Sequence, residues 1–184
     1  MPHSRDASAS AFVTVTAKVS IALGIAATLY ALLQVAVAQA LLGQDQAARA
    51  LAALPVQELP AAASWLLTHL GGIAWSFLLT SAAFLAASWG LLRRRPWGWW
   101  GFVAFMVLGA LVNFAGIALV EHVFDWVETL PRDPTMQELQ DGLTIMRQVS
   151  LVTMWGTAIA FAVLHGAIVW KLCRPEVRAE FRPG

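Results

Sequence analysis

The chain has 184 residues, 59% hydrophobic and 12% charged, with a formal net charge of +1; a soluble globular domain carries about 45–50% and about 25%. That balance excludes a water-soluble fold. The basic residues sit at predicted helix ends and form no stripe, which excludes nucleic acid as a partner, and the single cysteine, Cys173, excludes an internal disulfide.

Four windows carry no charged side chain: 19–44, 59–92, 96–120 and 148–170. Each exceeds the roughly 20 residues that a helix needs to cross a hydrocarbon core of about 30 Å. They predict spans at about 15–42, 63–92, 97–120 and 149–172 in one domain, 1–184. The expected fold is an all-α membrane protein, with four transmembrane helices in an antiparallel bundle and a short interfacial amphipathic helix before the fourth span.

The first span ends in two triplets that resemble signal cleavage sites, Ala36-Val37-Ala38 and Ala38-Gln39-Ala40. The apolar run before them is longer than the usual signal core of about 7–15 residues, so the helix is expected to be retained. Cleavage would leave three spans. Between the second and third spans, Arg93-Arg94-Arg95-Pro96-Trp97-Gly98 is short enough to make those helices antiparallel neighbours. After the third, Asp133-Pro134 reads as an N-cap followed by proline at the first helical position. Met136, Leu139, Leu143 and Met146 then form the apolar edge of the predicted interfacial helix. The tail, Arg174 to Phe181, predicts one or two further turns. All eight prolines fall outside the spans or at their first residues, so the four helices should be continuous.

Charge sorts between the two sets of connections. The N-terminus, the 93–95 turn and the C-terminal tail hold nine basic residues and three acidic ones, and the other connections hold three and eight. The positive-inside rule then puts both termini in the cytoplasm. Trp89, Trp97, Trp99, Trp100 and Trp170 mark that boundary and Trp65, Trp126 and Trp155 the other. Small residues predict the packing faces: Ser20, Gly24, Ala27, Ala31, Gln34 and Ala38; His69, Gly72, Ser76, Thr80, Ala83, Ala87 and Gly90; Gly109, Asn113 and Gly116; Thr153, Gly156, Ala160 and Ala167.

Ionisable groups within a membrane are candidates for function because burying them is costly. His69 and His122 fall at the outer ends of the second and third spans, where two level histidines could hold a haem or share a metal, whereas His165 has no level partner. Gln34 and Asn113 lie slightly to the outer side of centre and complete a candidate cofactor pocket with those two histidines, open to a proton, a metal ion or a quinone headgroup. Interhelical packing by the same amides is the plainer reading. Glu121, Asp125 and Glu128, with His122 beside them, form a candidate metal cluster if the third helix runs past the bilayer, or else a solvated helix end. No cofactor is required by the sequence, and no nucleophile with an adjacent base or phosphate-binding loop is present.

Gly90-Leu91-Leu92-Arg93-Arg94-Arg95-Pro96-Trp97-Gly98-Trp99-Trp100 and Arg174-Pro175-Glu176-Val177-Arg178 resemble segments of small, uncharacterised bacterial inner-membrane proteins with four helices. The resemblance implies a bacterial plasma membrane and no particular activity. Two functional classes follow: a non-catalytic interaction or accessory subunit, whose partners are the bilayer, a larger membrane complex or a second copy; and a bundle that binds a small molecule, metal, haem or quinone near the periplasmic side.

Overall fold

The computed structural model describes residues 3–42, 65, 68–128 and 137–181. Those residues form helices α1 (His3–Leu42), α2 (Leu70–Leu92), α3 (Pro96–Glu128), α4 (Gln137–Leu172) and α5 (Pro175–Ala179), with no strand among them. Among the described residues four stretches are long and apolar enough to cross a membrane: Ser10–Ala40, Leu70–Leu92, Pro96–Trp126 and Thr144–Leu172. The described residues are therefore all-α, and the chain has the make-up of a multi-pass membrane protein. α3 does run on to Glu128. The interfacial helix expected before the fourth span is not separate, because α4 continues unbroken from Gln137 into that span. No proline interrupts 137–172 and Gly142 alone does not break a helix. Asp133 to Met136 lie outside the described residues, as do the side chains of Leu139 and Leu143.

Only three residues separate α2 from α3, and their geometry follows from the need to close orphaned carbonyls. Arg94 N–H donates to Leu91 O at 3.1 Å and Arg95 N–H to Gly90 O at 2.9 Å, the paired bonds of a Schellman ending. Such an ending requires a left-handed residue, and Arg94 takes that conformation at φ 55°, where glycine is the usual occupant and another residue costs about 1–2 kcal/mol. Pro96 opens α3 at the position where its missing N–H is harmless. The turn brings Gly90 and Gly98 back to back: a Cβ on Gly90 would lie 2.8 Å from Gly98 Cα, and one on Gly98 would overlap the Gly90 backbone.

The chain divides into two compact units, one of Met1–Phe105 with Ile168–Gly184 and the other of Met106–Ala167. In the first, α1 packs along α2. Val13, Ala17, Ser20, Gly24, Ala31 and Val35 are buried at alternating three- and four-residue spacings for most of that face, and Gly24 lies against Leu85. Phe84 stacks with Phe102 at 5.9 Å and meets Phe105 edge-on at 5.6 Å. Leu172 is fully buried, and its carbonyl, orphaned at the end of α4, accepts from Trp99 Nε1 at 3.1 Å. Beyond it, Pro175 starts α5, and Val177 and Phe181 are buried there. In the second unit Ile117 and Ala158 are buried, Phe114 and Trp155 meet at 5.9 Å, and Arg147 pairs with Asp125 at 2.6 Å.

The expected packing faces hold only in part. On α1, Ser20, Gly24 and Ala31 are buried and Gln34 and Ala38 half-buried, but Ala27 is exposed. On α2, Ala87 and Gly90 are buried, whereas Ser76, Thr80 and Ala83 are exposed and Ala74, Ser88 and Leu91 take their place. Asn113 on α3 is exposed, and so are Thr153, Gly156, Ala160 and Ala167 on α4, where Ala158 is buried instead. For Ser76 and Thr153 the reason is chemical. Ser76, Ser81, Thr28 and Thr153 each donate to the carbonyl four residues earlier on their own helix, at 2.7–2.8 Å, so their hydroxyls require no neighbouring helix.

The contact between glycines gives a direct test. Gly98→Ala should lower stability in detergent by about 3 kcal/mol or more, since backbone has to move. Gly116→Ala, with nothing within 4 Å of the new methyl, should be neutral or stabilising by up to about 1 kcal/mol. Thermal unfolding of the two variants checks this, and equal melting points would show the turn to be wrongly described.

Candidate functional site

The polar residues singled out from sequence divide between the units. Gln34 and His69 belong to the first, and Asn113, Glu121, His122 and Asp125 to the second. His69 is exposed just before α2; its Nδ1 lies 2.8 Å from Trp65 O and its ring stacks on Trp65 at 4.7 Å. Gln34 is half-buried. Asn113 faces outward and donates to Gly109 O at 3.1 Å on its own helix. Among the acidic residues near the end of α3, Asp125 is held by Arg147, Glu121 is half-buried and His122 exposed; the Glu128 side chain lies outside the described residues. Among the described residues no three His, Cys, Asp or Glu side chains come together as a metal-binding group.

The densest polar constellation lies elsewhere, around Arg94. Its Nε donates to Glu180 Oε2 at 2.6 Å, and both side chains are about four-fifths buried. Nη2 donates to Ser10 O at 3.0 Å, Ser10 Oγ at 3.3 Å and Thr14 Oγ1 at 3.0 Å, while Nη1 reaches Leu91 O at 3.4 Å. Thr14 Oγ1 in turn donates to Ser10 O at 2.9 Å. One guanidinium thus ties α1, the end of α2 and the turn after α5. The planar fork of arginine can serve three directions at once, which a lysine ammonium on a flexible stem would do less well.

In the sequence Arg93 to Arg95 stand as one orientation signal, and this role of Arg94 is not apparent. A signal was present: three residues between Leu92 and Pro96 leave room for little except a Schellman ending. That ending fixes the middle residue in the left-handed region and aims its side chain differently from its neighbours.

A third feature is His165 on α4. Its Nδ1 is buried with no hydrogen-bond partner. The imidazole lies over Gly109 of α3, where a Cβ would stand 3.5 Å from Cε1, and Phe161 flanks it at 5.8 Å. Gly109 was expected on a packing face, and its place opposite His165 agrees with that. Gly116 has nothing within 4 Å.

Comparison of the chain with family models, with curated proteins and with solved structures finds no match. The site therefore has to be read from its own chemistry. Arg94, Glu180, Ser10 and Thr14 satisfy one another, and the arrangement holds helices together without presenting a nucleophile and base pair.

The pairing of His165 with Gly109 makes a graded prediction. Gly109→Ala places its methyl at ordinary contact distance and should be tolerated, while Gly109→Leu should cost about 1–3 kcal/mol through overpacking. His165→Leu replaces an unserved polar atom with an apolar one and should be neutral or stabilising by up to about 1–3 kcal/mol. Melting curves in detergent measure all three. A His165→Leu loss as large as that of Gly109→Leu would mean the imidazole has a partner.

Proposed function

We propose that this chain is a four-span integral protein of the bacterial inner membrane that works without catalysis, as an interaction or accessory subunit acting through protein and lipid contacts. One observation carries the reading. The polar side chains along the spans are largely spent internally, on their own helices or in the Arg94 cluster, while large apolar side chains face outward along every span. Leu29, Leu79, Val112, Val152 and Val163 are each more than 60% exposed. Such a surface suits lipid and other transmembrane helices, where close packing and not water exclusion drives association.

An antiparallel bundle with both termini in the cytoplasm is part of the proposal. Ser10 and Thr14 meet Arg94 while Gly24, further along α1, meets Leu85, earlier on α2; this opposite sense supports it. The nine-to-three division of basic residues supports the orientation. A second reading, a small-molecule or cofactor-binding bundle, draws support from His165, whose buried nitrogen has no partner.

Orientation is tested by single cysteines at Arg5 and Asp141 in a Cys173→Ala background. An impermeant thiol reagent on intact spheroplasts should label position 141 and spare position 5. Equal labelling, or labelling at 5 alone, would overturn the topology. For function, purification in mild detergent should return a second protein or a second copy in stoichiometric amount. A lone chain carrying a Soret band or a stoichiometric metal would favour the cofactor reading.

A further inference from the structure

Around the Arg94 cluster the first unit gathers charge that its interior does not use. Arg94 and Glu180 neutralise each other, while Arg93, Arg95, Lys171, Arg174 and Arg178 are exposed, with Glu176 an exposed carboxylate on α5. Glu180 docks the turn after α5 onto the 93–95 turn, so cations far apart in sequence share one end. Three of them lie over indoles: Arg93 over Trp89 at 4.9 Å, Arg174 over Trp170 at 4.1 Å and Arg178 over Trp99 at 5.4 Å. Lys171 sits over Phe12 at 4.2 Å.

A guanidinium stacked on a ring has a face occupied and its N–H edge free, and that edge matches two oxygens of a phosphate. The rings matter as well. Trp89, Trp97, Trp100 and Trp170 are exposed at this end, and tryptophan favours the depth of lipid headgroups. A partner for this surface must therefore carry a phosphate and an apolar body together, with no ammonium group of its own to oppose the arginines. Five exposed cations also reach the four to eight that mark anionic-lipid recognition beside a span.

We propose that this end of the protein binds anionic phospholipid, with Arg93, Arg95, Arg174 and Arg178 contacting lipid phosphates. The proposal rests on the membrane reading above. Arg94 is not among the ligands, because its donors are consumed within the fold.

The test titrates purified full-length protein in detergent with phosphatidylglycerol, phosphatidylcholine and inorganic phosphate, and counts lipid adducts by native mass spectrometry. Phosphatidylglycerol should bind at least tenfold more tightly than phosphatidylcholine. Arg174→Gln should weaken it roughly fivefold, and Arg174→Gln with Arg178→Gln by about the square of that. Arg147→Gln, one charge removed from the other unit, should leave binding unchanged. Melting points equal to the parent protein's show that the variants fold. Equal binding of the two lipids, variants that bind like the parent, or displacement of phosphatidylglycerol by an equal concentration of inorganic phosphate would each overturn the proposal. Because topology is read separately by cysteine labelling, failure here leaves the membrane reading standing.

Discussion

A guanidinium has five donors, and Arg94 directs its own to three separate segments: Ser10 and Thr14 of α1, the Leu91 carbonyl at the end of α2, and Glu180 after α5. Everything else at this end is arranged around that requirement. The side chain reaches all three because its backbone is left-handed, which in turn closes the last carbonyls of α2. The strain of that conformation, about 1–2 kcal/mol, is offset by hydrogen bonds to a charged group worth about 1.5–3 kcal/mol each. With the tail held, Val177 and Phe181 are buried and Trp99 caps Leu172.

The spans were legible because lipid imposes a coarse rule. A charge-free window of sufficient length has few alternatives, so α1 to α4 appear where Ser10–Ala40, Leu70–Leu92, Pro96–Trp126 and Thr144–Leu172 are free enough of charge. The faces were less legible. A polar side chain that bonds back to its own helix needs no second one, and Ser76, Thr153 and Asn113 bond back to Gly72, Val149 and Gly109; Ser88 bonds back to Phe84 and is buried all the same. Where the faces came out right, at Gly24, Ala87 and Gly90, backbone approach and not polarity decided the matter: these residues lie against Leu85, Gly101 and Gly98.

The candidate site shows the same division. Intramembrane position draws attention to His69 and His122, yet His69 is engaged with Trp65 one turn away, and among the described residues it is His165, without a level partner, that has a buried unserved atom. Arg94 is hidden among three arginines that share a sequence context and differ in backbone conformation and burial. Burial and left-handed geometry are properties of the assembled chain, and residue type alone carries no trace of them.

A polar lock at one end, surrounded by exposed cations and indoles, and an outward apolar surface along the spans describe a protein whose chemistry is turned towards assembly and the headgroup layer. Hydrogen exchange on the Arg94→Gln variant in detergent is the most direct measurement of that lock. The account predicts that amides of residues 10–17 and 172–181 lose protection together, while those of 150–165 keep theirs. Protection unchanged at 172–181, or lost evenly along every helix, would contradict it.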